Sequence, residues 1–155
     1  MTEEVRWLDE DERETWLALV GVIVRLPAAL DAQLRRDAGL SHFEYQILAA
    51  LSMAEDRTLQ MTEIARFAES SLSRLSHACS RLEAQGWITR SSDPVDKRAK
   101  RATLTDAGQA KVVATAPGHV EAVRTLVFDP LTKQQVKQLG DAVARILGAI
   151  GAEPC

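Results

Sequence analysis

Two cysteines in 155 residues, Cys79 and Cys155, are too few for a disulfide framework. Cys79 stands at an apolar position of a predicted helix and reads as a small buried thiol, while Cys155, the last residue, reads as incidental. The histidines are His42, His77 and His119, scattered without ligand-like spacing, so no metal site and no cofactor are expected. Paired carboxylates, a Ser-His-Asp arrangement and a phosphate-cradling glycine loop are also missing, which argues against an enzyme. No apolar run approaches the roughly 20 residues of a membrane span. The acidic opening MTEEVRWLDEDERE lacks the basic flank and apolar centre of a secretion signal, so a cytoplasmic protein without a membrane partner is expected. Repeats and low-complexity tracts are absent.

A surplus of positive charge is missing too, since the net charge is −3. Its distribution is more informative than its sum. Residues 1–56 carry 5 basic against 12 acidic side chains, residues 57–101 carry 9 against 5, and residues 102–155 carry 5 of each. Positive charge is therefore gathered on one segment, as a phosphate-facing surface requires.

That segment has a specific layout. Thr62 is expected to cap a short helix holding Ile64, Ala65 and Ala68. Ser70 or Ser71 caps a second, whose Leu75, Ala78, Cys79 and Leu82 form a buried stripe, and Gly86 ends it. Residues 87–91 and 101–105 read as strands, joined by a loop, 92–100, with Pro94 and five charged residues. A helix-turn-helix followed by a basic β-loop is a device for reading double-stranded DNA: the second helix enters a major groove and the loop reaches the neighbouring backbone or minor groove. On the second helix Arg74, His77 and Arg81 recur at helical spacing on one predicted outer face, with Ser71 and Ser73 in the first turn. His77 is open to a second reading as an ordinary solvated residue. In the loop, Lys97 and Arg98, flanked by Arg90, Lys100 and Arg101, concentrate charge. Asp96 is placed to hold the Arg98 guanidinium by a salt bridge, and Arg98 itself to lie in a minor groove. The other reading of the loop is a plain charged hairpin.

Outside this segment the chain is helical and apolar. Asp9–Glu14 suits a helix start. From it Trp16, Val20, Ile23, Pro27, Leu30 and Leu34 make a seam, Pro27 is expected to bend or split the helix, and Gly39 to close it. Ser41 caps a helix carrying Phe43, Ile47, Leu48 and Leu51, and 55–60 is expected to be a polar loop. After Thr105 a helix bears Val113, Ala116, Val120, Val123 and Val127, with a kink or break expected at Pro117-Gly118. Thr132 and Gln135 fit a capping box for a last helix with Val136, Leu139, Val143, Ile146 and Ile150, ending at Gly151. Three apolar helices have too few partners inside one subunit, so a homodimer through both chain ends is expected.

The segments GLSHFEYQILAAL, MTEIARFAESSLSRLSHACSRLEAQGWITR and DPVDKRAKRATLTDAG together resemble the multiple-antibiotic-resistance regulator (MarR) family. The residues that carry the resemblance are Met61-Thr62, Ser71, Ser73, Arg81-Leu82-Glu83, Gly86, Asp96 with Arg98, and Leu104-Thr105 with Gly108. It implies a mainly α fold with a small β-hairpin wing. A winged helix-turn-helix core at 41–105 would lie between dimerisation helices at 1–40 and 106–155. It also implies a triangular homodimer, most simply a repressor, on a pseudo-palindromic operator, with Arg98 as the wing arginine and the Ser71–Arg81 face in the major groove. His77 and Lys97 stand where arginines are frequent in the family. Release by a small aromatic or phenolic effector is a further implication, with Trp7, Trp16, His42, Phe43 and Tyr45 as candidate lining. The cysteine near the first helix used for peroxide sensing is missing. The competing reading is a winged-helix protein-interaction module that binds an acidic protein and no nucleic acid.

Overall fold

The computed structural model describes residues 5–151. Cys155 and the first four residues lie outside them. Helix α1 (Glu10–Ala38) starts on a reciprocal capping box between Asp9 and Glu12 and ends on Gly39, which is left-handed at φ 67°. Helix α2 (His42–Met53) repeats the device with Ser41 and Glu44. A short turn follows, with left-handed Asp56 and Arg57, both at φ 52°. Strand β1 (Thr58–Gln60) comes next, then α3 (Met61–Phe67), α4 (Leu72–Ala84), β2 (Ile88–Ser92), β3 (Lys100–Leu104), α5 (Asp106–Val123), a π-type segment Arg124–Phe128, and α6 (Lys133–Ile150). The three strands form an antiparallel sheet in the order β1-β3-β2, with Thr58 opposite Thr103 and Ile88 opposite Leu104.

The core lies beneath the helix-turn-helix. Leu34, Leu40, Ile47, Leu48, Leu51, Ile64, Leu75, Leu82 and Ile88 are all fully buried there, so α1, α2, α3, α4 and the sheet meet in one cluster. The stripe Leu75, Ala78, Cys79 and Leu82 is the buried face of α4, as its spacing requires. Ser71 is the cap, its Oγ accepting from Arg74 N at 3.2 Å.

Several expectations are corrected. The polar segment 55–60 contains β1, whose Thr58 hydroxyl meets that of Thr103 at 2.8 Å. The residue before α3 is Gln60 rather than Thr62, its N–H donating to Glu63 Oε2 at 2.7 Å. Pro27 does not split α1, and α5 continues through Pro117-Gly118; the irregularity falls later, at Arg124–Phe128. The packed face of α5 is Gly108, Val112 and Thr115, one residue out of phase with the Val113–Val120 seam, and Val113 and Val120 are 62% and 53% exposed. Residues 10–38 are also long and apolar enough to cross a membrane by composition. Arg25 and Asp31 interrupt them, however, and Leu30, Gln33 and Leu34 are buried against the rest of the chain.

Candidate nucleic-acid interface

Helix α4 turns about 100° per residue, so the buried stripe fixes what faces out. Ser73, His77 and Ser80 lie farthest from it, and all three are exposed. Arg74 and Arg81 occupy the edge toward α2 rather than the outermost line. The Arg74 guanidinium sits 4.1 Å from the Phe43 ring centroid, a cation–π contact. Arg81 Nε donates to Glu44 Oε1 at 2.7 Å. Leu72, Ser76 and Glu83 occupy the opposite edge and line a groove of about 600 Å³ against Arg90, Ser91, Arg98 and Lys100 of the hairpin. Among the expected α4 residues, Ser71, Ser73 and His77 are therefore outward, while Arg74 and Arg81 are partly committed to α2. Ser76 and Ser80 join the outer surface without having been singled out. Their signal in the sequence was the same helical spacing.

Glu44 is the anchor of the α2 edge. Burial pushes its carboxyl up, but the N–H of Ser41 at 2.8 Å and the Arg81 side chain outweigh this, leaving it below the ordinary value. It stays ionised at neutral pH and holds Arg81 in place.

The hairpin tip is organised by Asp93, which sequence reasoning missed. Asp93 is buried, its Oδ1 accepting from Val95 N at 2.8 Å and Asp96 N at 3.0 Å, and its Oδ2 from Gln60 Nε2 at 3.3 Å. Arg101 Nε pairs with the same oxygen at 3.5 Å, an ion-pair rather than a hydrogen-bond distance. The Asp96 and Val95 amides hold the Asp93 carboxyl below its usual range. The expected Asp96–Arg98 salt bridge is replaced by a main-chain contact: Asp96 Oδ1 accepts from Arg98 N at 3.0 Å. Asp96 thus shapes the loop and leaves the Arg98 guanidinium, exposed and without an ion pair among the described residues, free to meet a phosphate or groove. Lys97 is equally exposed, and Lys100 Nζ donates to Ser92 Oγ at 3.0 Å. Arg90, by contrast, is drawn onto α4, its Nη2 2.9 Å from Glu83 Oε2.

A second cavity, of about 630 Å³, runs between α1, α2 and α4, with Pro27, Asp31, Arg35, His42, Phe43 and Arg74 in its wall and His77 and Arg81 at its α4 side. Of the candidate ligand residues it gathers only His42 and Phe43. Trp7 and Trp16 are exposed elsewhere, and Tyr45 is buried with its ring 4.6 Å from that of His119. Among the described residues no cluster of three metal-ligating side chains forms.

A family model described as MarR family matches residues 38–99. A MarR family transcriptional regulator from Streptomyces coelicolor, crystallised in complex with DNA, is 46% identical over 99% of this chain and 94% of that one, with a TM-score of 0.89. AbsC, a MarR family transcriptional regulator from the same organism, is 30% identical over 96% of this chain and all (100%) of that one, also at 0.89. The chain belongs to the MarR family. It is thus related to transcriptional regulators and not to enzymes. The HTH-type transcriptional repressor YetL of Bacillus subtilis is 31% identical over 70% of this chain, which spans about two thirds, 66%, of that relative's length.

On the structure, most residues that carry the MarR resemblance are joints. Gly86 is left-handed at φ 74°, turning the chain from α4 into β2. Arg81, Leu82 and Glu83 tie α4 to α2, to the core and to the wing respectively. Thr105 caps α5 and donates its hydroxyl to Gly86 O at 2.7 Å, fastening the wing root to α5. MarR membership is thus legible through positions that set the angle of the reading elements.

Proposed function

We propose that this chain is a homodimeric, sequence-specific DNA-binding transcriptional regulator, acting in the cytoplasm as a repressor on a pseudo-palindromic operator. Helix α4, with its cap from Ser71, enters the major groove, and the wing, residues 92–100, meets the backbone or minor groove. The observation that carries this reading is the surface itself: a rigidly backed helix presents Ser73, Ser76, His77 and Ser80 outward, beside a tip whose Lys97 and Arg98 are unpaired among the described residues. The DNA complex of the 46% identical relative supports it, as does the name of YetL for the direction of regulation.

Dimerisation, with 1–40 and 106–155 as the pairing regions, is supported by what one chain leaves uncovered. Trp16, Leu17, Val22, Ile23 and Val24 on α1, Val113 and Val120 on α5, and Leu139, Val143, Ile146 and Leu147 on α6 are each 38–65% exposed. Helix α6 has no buried residue at all among those described. Apolar side chains left uncovered in this number mark an interface. Two reading heads would then address two half-sites about one duplex turn apart, roughly 34–36 Å.

The cavity between α1, α2 and α4 is the effector site of this proposal. Its size is that of small-molecule sites. Arg35, Arg74 and Arg81 face it together with the Phe43 ring, so a small aromatic carrying an anionic or phenolic group has both partners. Such a molecule draws Arg74 from Phe43 or Arg81 from Glu44 and thereby changes the seat of α4. It shifts operator affinity by its differential affinity for the two seats.

The test is selection of bound sites from randomised DNA, then anisotropy titrations of the selected duplex at several salt concentrations. Affinity is expected to fall steeply with salt. Arg98→Ala should weaken all sequences alike and lower the salt slope by about 1 per head, whereas His77→Ala should cost about 1–3 kcal/mol mainly on the selected sequence. Salt-insensitive binding, unaltered by Arg98→Ala, would refute the proposal.

A further inference from the structure

Arg90 reads in the sequence as one more phosphate contact, yet its side chain is occupied by α4. Its Nε and Nη2 donate to Glu83 Oε2 at 3.1 and 2.9 Å, and its own backbone N–H donates to Glu83 Oε1 at 2.9 Å. The rest of the guanidinium reaches two serines of the outward surface: Nη2 donates to Ser80 Oγ at 3.1 Å and Nη1 to Ser76 Oγ at 3.4 Å. Ser80 also gives its own proton to Ser76 O at 3.0 Å. The grip holds at neutral pH because Glu83 is kept below the usual carboxylate range, chiefly by the Arg90 side chain.

A hydroxyl has one proton and two lone pairs. Ser80 has spent its proton on a carbonyl and one lone pair on Arg90, so only an acceptor remains. Ser76 receives Arg90 on its oxygen and, among the described residues, donates to nothing, so its proton is available. Ser76 thus keeps its proton and a lone pair while Ser80 keeps a lone pair alone, so of two chemically identical side chains one helical turn apart only Ser76 can donate to what lies beyond.

We propose that Arg90 is a specificity-positioning residue: by gripping Ser76 and Ser80 from the wing root it leaves the first able to donate and the second able only to accept toward the bases. This rests on the DNA-binding reading above. Acceptor edges, guanine O6 and N7 or thymine O4, are then open to Ser76 and closed to Ser80, which takes only amino groups, cytosine N4 or adenine N6. Arg90 acts through the serines and does not itself touch DNA.

The experiment compares sites selected from randomised DNA, and salt slopes on them, for the wild type, Arg90→Gln, Ser76→Ala, Ser80→Ala and the triple variant. The expected result is that Arg90→Gln lowers the preference at two base positions about tenfold, with an unchanged salt slope. Those are the positions whose preference Ser76→Ala and Ser80→Ala remove, and Arg90→Gln adds nothing once both serines are alanine. A salt slope lower by about 1 per head with base preferences intact would make Arg90 a phosphate contact and overturn the proposal. So would serine variants that select the same bases as the wild type, an arm that leaves Arg90 and the wing untouched. A wild type that selects no sequence overturns the DNA-binding reading and this inference with it, whereas a selective wild type matched by Arg90→Gln overturns this inference alone.

Discussion

Replacing Gly108 by alanine tests the joint on which the wing angle depends. Gly108 lies in the first turn of α5, where alanine alone is the better helix former by about 1 kcal/mol. The fold opposes that gain. A Cβ on Gly108 would stand 2.1 Å from Trp87 O and 2.6 Å from Leu104 Cδ1. A carbon–oxygen contact needs about 3.3 Å. Leu104 can turn aside, but Trp87 O is backbone, and it accepts the Thr105 N–H at 3.0 Å. Relief therefore needs a displacement of roughly 1 Å between α5 and the start of β2, and this stretches that hydrogen bond. Overpacking of this kind costs about 1–3 kcal/mol, and the weakened bond about 1 kcal/mol more. After the helix gain is subtracted, the net loss is about 1–3 kcal/mol, which for a domain of this size lowers Tm by roughly 2–12 °C. Urea and thermal unfolding of both proteins, at equal protomer concentration, measure it. A Gly108→Ala protein that melts at or above the wild type would show that the α5–wing joint is not rigid, and the account of the MarR motif as a set of fixed joints would fail.

Val143→Asp and Ile146→Asp on α6 alter side chains that one chain leaves exposed, so in an isolated subunit each should change stability by less than about 0.5 kcal/mol. If α6 is covered by a second copy, sedimentation should instead find monomers at micromolar concentration, with operator binding lost; variants that still dimerise would exclude α6 from the interface. His42 and His119 are both pushed below the ordinary imidazole value by burial, His119 also by its neighbour His42, while Asp31 partly offsets the shift at His42. Their neutral forms favour the fold, so this stability is full above the unfolded value of about 6.5 and is lost as pH falls through the lower folded values. Urea unfolding should show a decline from pH 7.5 to 5.5 that His119→Gln lessens; a flat wild-type profile would contradict the shifts. Burial pushes the Cys79 thiol up to about 11, so in a Cys155→Ser protein at pH 8 a thiol reagent should react only on unfolding, and rapid native labelling would refute its enclosure.

What was legible in the sequence is what a local rule decides. Ser41, Ser71, Thr105 and Thr132 cap helices because a side-chain oxygen reaches an amide three residues on, and the α4 stripe follows from the turn of one helix. What was not legible depends on partners distant along the chain. Strand β1 is three residues long and exists through pairing with β3, 41–45 residues away. Asp93 and Asp96 are equivalent as letters, but only Asp93 meets Gln60 and Arg101. Arg74, Arg81 and Arg90 read as free cations and Arg98 as one held by Asp96, and the fold reverses this: Phe43, Glu44 and Glu83 take the first three, and Arg98 has no ion pair among the described residues. Charge counts cannot make that division, because a carboxylate 37 residues away neutralises as well as an adjacent one.

The misphased seam of α5 has a physical cause that reaches the whole stalk. Along 106–123 apolar residues occupy two faces: Val112 packs within the chain, while Val113 and Val120 face out. A helix with one apolar partner shows one stripe; a helix with two shows stripes whose sum has no clear phase, and the larger aliphatic side chains then draw the eye to the wrong one. Helix α1 carries the same superposition further. Leu30 and Leu34 are covered by the chain's own core, and Trp16, Leu17, Val22, Ile23 and Val24 are not. The total comes to resemble a membrane span in composition. A bilayer would surround α1 on all sides at one depth, yet its covered and uncovered parts are divided between the C-terminal and N-terminal halves, and Asp31 in the covered part is held below the usual carboxylate range by Arg35 and the His42 N–H. That division is the one expected of a helix that enters its own subunit at one end and a second copy at the other.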